Sequence, residues 1–443
     1  MSPTRREFLA SSSALMGAAA LGLSPAALAQ SLREDGNPPT LVVVYLRGGA
    51  DALNAVIPAG DQDYYTVRPT IAVPTPGNAT ENNPGVIPVT NMFGFHPSLA
   101  PLHELYEAER MTAIVNAGST HPTRSHFDAQ DFMERAAPGV KSITEGWLNR
   151  FLSATRTNED RDLRAVSLQS TLPRSLRGEY PVLAVPGYGA DDAMRAFEDM
   201  YACDGNAEAR DGEAEMTDEG PRVGGGPATI EERDHANERQ LEIITAGAET
   251  IEKLRRLQRI VRGGRPDIYP NGGLGNQLAD VAKVIKAGVG LEVAALDYGG
   301  WDHHAYQGGS TGTFANMLSH VSQSVRAFHD DLGPLMDKTV VLVMSEFGRT
   351  VRENGNNGTD HGHGGFMMAV GGPVKGNRLY GSYNGLNRRD LYQGRDLPVS
   401  VDFRSVFAES LFALYGFNSD QHQFFPDYEA NEHRVGFLNP VAG

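Results

Sequence analysis

Apolar residues recur along this chain in two rhythms. Unbroken runs of β-branched and aliphatic residues at 41–46, 111–116, 165–168, 182–185, 291–296, 339–344 and 366–370 read as buried strands, because both faces of each are apolar. Residues 99–106, 127–135, 147–152, 274–286, 317–335 and 401–414 place apolar side chains at helical spacing, and 230–261 read as one or two long amphipathic helices. Strands alternating with helices predict an α/β domain, a three-layer sandwich around a mostly parallel, doubly wound sheet. Sheets of this kind bind ligands where loops leave the carboxyl ends of their strands.

Four such loops carry polar chemistry. The first strand runs into Gly48 and Gly49, which allow a sharp turn, and then Asp51, which is either a helix N-cap or a metal ligand. The second is followed by His121, Arg124, Ser125 and His126 at the start of a helix. There Ser125 is an N-cap, a nucleophile facing helix N–H groups, or both. The strand at 291–296 ends in Asp302, His303 and His304. The run at 339–344 leads to Glu346 and Arg349, then to Asp360, His361 and His363 in a Gly/Asn loop. Mixed carboxylate and imidazole sets suit zinc, manganese or magnesium better than calcium. Two ions about 4 Å apart would clamp an in-line displacement. Ordinary loop packing is the favoured role for Tyr64, Tyr65 and Arg68 in the Pro/Asn-rich excursion 61–88. His96 and His103 read as surface or capping residues.

Charge narrows the partners. A net charge of −16, with no basic stripe, argues against a nucleic-acid backbone and anionic lipid as partners. Residues 1–29 read as a twin-arginine signal: Arg5 and Arg6, an apolar segment to about Leu23, and a small-x-small site ending at Ala29. The segment is shorter than the roughly 18 residues of a spanning helix, so no stable membrane span is expected. Cleavage removes Arg5, Arg6 and Glu7, and the mature chain carries −16 − 1 = −17. The chain is thus expected outside the cytoplasm, periplasmic or extracellular, with the twin-arginine translocase as an export partner. The single Cys203 forms no intramolecular disulfide. The acidic, Gly-rich stretch 191–234 lies in an expected helical insertion spanning about 190–275 of a domain covering 38–443.

At these loops the chain resembles the alkaline-phosphatase-like superfamily, and within it the exported family known as domain of unknown function 1501. The segments that carry the resemblance are residues 48–54, 124–130, 300–304, 345–349 and 360–364. The resemblance implies a metal-dependent hydrolase of phosphate or sulfate esters acting on a small anionic ester or a glycan. It matches Asp51, Asp302, His304, Glu346 and either His361 or His363 to the ligands of one or two divalent metals, and the same loops offer His303 and Asp360 as further candidate ligands. Ser125 stands near the nucleophile, with Arg124, His126 and Arg349 beside the reacting group. The superfamily's late Asp-His pair is here Glu346-Phe347, which removes one imidazole from the second site. No Cys-x-Pro-x-Arg segment is present, which argues against a formylglycine sulfatase. The alternative is a non-catalytic exported binding protein that keeps the fold and one structural metal.

Overall fold

The computed structural model describes residues 37–157, 163–185, 250 and 252–441. The predicted export signal, Cys203 and the stretch 191–234 lie outside them. The chain divides into two units, Met1–Gly187 with Gly263–Gly443, and Tyr188–Arg262. Of the second, residues 250 and 252–262 are described, helical from 252 through 261. Helix Gly273–Lys286 packs on the central sheet and so belongs to the first unit.

The strands are β1 (Thr40–Arg47), β2 (Val56–Ile57), β3 (Ile87–Pro88), β4 (Gly94–Phe95), β5 (Met111–Gly118), β6 (Ala165–Ser167), β7 (Leu183–Ala184), β8 (Val293–Gly299), β9 (Thr339–Met344), β10 (Gly365–Gly371), β11 (Leu379–Tyr380) and β12 (Val401–Asp402). All but β2, β3 and β4 form one sheet, in the order β11-β5-β10-β9-β1-β8-β6-β7, with β12 also on β5. Every pairing in it is parallel except those of β10. The exception has a local cause. Residues 345–364 contain no helix to carry the chain back across the sheet, so β10 returns directly alongside β9, antiparallel to it.

Both faces of β1 are buried, as its apolar run requires. Leu41, Val43 and Tyr45 share a core with Trp147 and Phe151 of helix Trp147–Ala154 and with Phe403, Phe407 and Leu411 of helix Phe403–Tyr415. Val42, Val44 and Leu46 alternate to the opposite side, also buried. Helices Ala100–Glu107, Gly273–Lys286 and Thr313–Leu332 complete the third layer. The mixed α/β fold with a mostly parallel sheet is therefore as expected. The helix expected at 317–335 begins earlier, at Thr313, and ends at Leu332, where a 3-10 turn from Gly333 takes over. No described helix is long and apolar enough to cross a membrane.

His96 is a cap, and a fully buried one. Its Nδ1 accepts from the Ser98 N–H (3.0 Å) and its Nε2 faces the Gly309 carbonyl (2.9 Å). Only the neutral ring satisfies both, since a protonated Nδ1 would confront the Ser98 N–H. Burial pulls its pKa down to about 4 from 6.5. The unfolded chain therefore binds a proton that the folded one refuses between those values. Stability present above pH 6.5 is lost as pH falls towards 4, by about 3 kcal/mol at most. The urea midpoint is expected to drop on acidification through this window, less steeply in His96→Asn. An unchanged slope would exclude His96 as a source.

Candidate metal centre

The topology brings distant loops to one edge. β9, β1 and β8 are parallel neighbours in register, Met344 beside Tyr45 and Arg47 beside Gly299, so their carboxyl ends align. β5 ends at the same edge, with Ala117 opposite Gly365, where the antiparallel β10 begins. The segments after β1, β5, β8 and β9, and the one before β10, therefore meet. Gly48 (φ +122°) makes the closest approach possible, because a Cβ there would lie 2.6 Å from the Asp302 nitrogen.

Four ligand-type atoms converge where these segments meet. His361 Nε2 lies 2.9 Å from His126 Nε2, 2.9 Å from His304 Nε2 and 3.2 Å from Asp302 Oδ1. Asp302 Oδ1 is 3.5 Å from His126 Nε2 and 3.0 Å from His304 Nε2. His126, Asp302 and His361 form a compact group able to hold a metal ion. Ligands bonded to one tetrahedral zinc stand about 3.3 Å apart, and the three separations of 2.9, 3.2 and 3.5 Å bracket that value. His304 meets the same spacing to two of the three.

Each imidazole is oriented by an acceptor on its other nitrogen. Nδ1 of His126 faces Glu346 Oε1 (2.7 Å), that of His304 faces Asp360 Oδ1 (3.0 Å) and that of His361 faces the Arg124 carbonyl (2.8 Å). These oxygens accept, so each Nδ1 carries the proton and each neutral Nε2 turns a lone pair inward. The hydrogen bond to Glu346 raises the His126 pKa, with burial opposing, and so makes it a stronger donor. Burial and the neighbouring Arg349 charge hold His361 low, against its bond to the Arg124 carbonyl. For Asp302, burial pushes upward, but the Arg349 hydrogen bond and charge win and keep its carboxylate ionised.

Glu346 and Asp360, expected as ligands, thus stand behind the imidazoles of His126 and His304. Glu346 is buried and still ionised: burial raises its pKa, but donors from His126, Gln130 Nε2 (2.8 Å) and the Gly48 N–H (2.9 Å) lower it further. Phe347 packs its ring against His126 and His361 at 4.8 and 5.3 Å.

Other expected site residues are engaged elsewhere. Asp51 is buried in a two-pronged ion pair with Arg68 (2.5 and 3.0 Å) and also accepts from Gln307 (2.6 Å). His303 is buried between Trp301 and Phe314, with no hydrogen-bond partner for either ring nitrogen among the described residues. His363 stacks on Tyr392 at 4.1 Å, its pKa lowered to about 4 by burial and by Arg124. Arg124 spends its guanidinium on the buried Asp396 (2.5 Å). Arg349 is buried and grips Asp302 Oδ1 at 2.6 Å. Ser125 occupies the N-cap of helix His126–Arg135 without using its hydroxyl as a cap, and is exposed. Sequence reasoning passed over Gln130, although its i+4 spacing from His126 puts both on one helix face, and Asp396, which no local pattern marks.

The family model described as "Protein of unknown function (DUF1501)" matches residues 280–423. That third of the chain carries Asp302, His304, Glu346, Asp360 and His361, while Arg124, Ser125 and His126 lie outside it. No curated protein matches the chain. Among solved structures the chain is similar to the PsFucS1 sulfatase from Pseudoalteromonas sp., at 11% identity and a TM-score of 0.38 over 93% of this chain and 76% of that one. It is similar to Ps i-CgsB at 11% identity and 0.38, over 91% and 77%. It is also similar to the lipoteichoic acid synthase LtaP from Listeria monocytogenes, at 8% and 0.30, over 81% and 72%.

The donor set itself fits a metal. Three imidazole lone pairs and a carboxylate oxygen crowded at 2.9–3.5 Å repel one another unless a cation lies among them. One proton can relieve one such contact, whereas a divalent ion serves all of them. Among the described residues a single group of this kind occurs.

Proposed function

We propose that this protein holds a divalent cation through His126, Asp302 and His361, and uses it to hydrolyse phosphate or sulfate esters outside the cytoplasm. What carries the reading is the meeting of inward-facing lone pairs at metal-ligand spacing, each imidazole fixed from behind. Imidazole ligands favour zinc over magnesium, and manganese stands between them. One ion is proposed, because Asp51, Glu346 and His363 are engaged elsewhere. When bound, such a cation polarises an ester oxygen. Ser125, exposed beside His126 at the start of a helix, would attack the phosphorus or sulfur atom as its proton passes to solvent and the ester's alcohol departs, with helix N–H groups facing the charge that develops. Water would then cleave the seryl ester to free the serine and the inorganic anion. Arg124 and Arg349 are paired with carboxylates and would shape the site more than hold the anion. The substrate is a small anionic ester or the ester of a glycan.

A second reading rests on His304. If its Nε2 completes a fourth position, the site is closed in the manner of structural zinc, and the protein is an exported binding protein. Turnover separates the two. With metal bound, the wild type is expected to cleave aryl phosphate or aryl sulfate, and Ser125→Ala to lose at least ~10³-fold in kcat while keeping its metal. Metal-loaded wild type that turns over neither ester would favour the binding protein. Full activity in Ser125→Ala would remove Ser125 from the mechanism.

A further inference from the structure

Asp51 sits behind the metal centre but is joined to it by an unbroken buried chain. Its Oδ2 accepts from Gln307 Nε2 at 2.6 Å. Gln307 Oε1 accepts from the Thr359 hydroxyl at 2.8 Å. Thr359 Oγ1 accepts in turn from Arg349 Nε at 3.2 Å. Arg349 Nη1 then donates to Asp302 Oδ1 at 2.6 Å. Asp51, Gln307, Thr359 and Arg349 are all buried, as is Arg68 on the far side of Asp51.

The direction of every bond in this chain is forced. Arg349 can only donate, so the one hydroxyl proton of Thr359 must point to Gln307. Asp51, ionised against Arg68, can only accept, so the Gln307 amide has a single orientation. A second bond, from Arg349 Nη2 to the Thr359 carbonyl, ties the guanidinium to the same residue. The Thr359 N–H is tied to the His303 carbonyl (3.0 Å), next to the ligand itself. Asp302 is more exposed than the others, and its carboxylate takes its orientation from this inner layer.

We infer that Gln307 and Thr359 are positioning residues of the metal centre, setting through Arg349 which oxygen of Asp302 faces the ligand group, with the Asp51–Arg68 pair as their anchor. The inference rests on the proposed metal site. It assigns a role to Asp51 at a distance: the residue acts on the ion without touching it. Partners that orient a ligand typically govern metal affinity by about 10–100-fold, and a relay two steps further back belongs at the lower end.

The test is a Co²⁺ titration of the full chain, following the visible spectrum of the ion, in wild type, Gln307→Leu, Thr359→Val and a control. Thr359→Val keeps the side-chain shape and removes both hydroxyl bonds, so it carries the test if Gln307→Leu fails to fold. The control is Thr155→Val. Thr155 is a buried hydroxyl that accepts from Arg164 (2.7 Å), whose partner Glu292 precedes β8 at the opposite edge of the sheet. Thr359→Val and Gln307→Leu are expected to weaken Co²⁺ binding about tenfold and to shift its absorption bands, at unchanged stoichiometry, while Thr155→Val changes neither. Wild-type Kd and bands in both site variants, even with lowered stability, would overturn the inference. Wild type that takes up no Co²⁺ would overturn the metal reading and this inference with it.

Discussion

His361→Ala is expected to abolish tight metal binding. Its Nε2 is the atom nearest to all the others, within 2.9–3.2 Å of His126, His304 and Asp302. Without it His126 and Asp302 are left 3.5 Å apart with no imidazole between them. The loss of affinity should exceed the ~10–100-fold that follows from losing a partner behind a ligand. A second readout is stability. An ion present at 100 times its Kd stabilises the folded state by about 2.7 kcal/mol. A chelator should therefore lower the Tm of the wild type and leave that of His361→Ala unmoved. The alanine also frees the Arg124 carbonyl at the exposed start of a helix, where water can replace the lost donor. Equal chelator sensitivity in the two proteins would contradict the site.

The second large effect concerns the fold. Arg68→Ala is expected to destabilise the protein by about 3–5 kcal/mol, because it leaves the Asp51 carboxylate buried without its cation. Arg68 also donates to the Val351 and Thr350 carbonyls (2.8 Å each) and to Asn54 (2.8 Å), so the excursion 61–88 would come loose from the segment after β9. Asp51→Ala should cost a similar amount, and the double variant clearly less than the sum. Urea unfolding measures all three. A change below 1 kcal/mol in Arg68→Ala would show that the pair adds little and that Asp51 is free for another role.

That Asp51 and Asp302 would part company could not be read from the chain. Both follow Gly-containing turns at the carboxyl ends of buried strands, and each is a sound candidate ligand on those grounds. The difference is made by Arg68, which arrives from a Pro/Asn-rich segment whose path no periodicity foretells. His303 and His304 are a sharper case. In a helix or strand their neighbours would show which one faces the core, but a loop has no period. Trp301 and Phe314 take one ring inward, and Asp360 draws the other outward. The shared edge itself was legible, because buried runs at 41–46, 111–116, 291–296 and 339–344 imply strands whose ends align once they pair. Glu346 looked like a ligand because a carboxylate at a strand end usually is accessible. The tight turn at Gly48 closes over it and makes it the anchor of His126.

Anomalous diffraction at the zinc edge, from crystals of the full chain grown with zinc, tests the central claim most directly. One strong peak is expected at bonding distance from Nε2 of His126 and His361 and from Asp302 Oδ1. Absence of a peak there, or zinc held only at other residues, would leave these imidazoles without the cation that their crowding demands and would contradict the account.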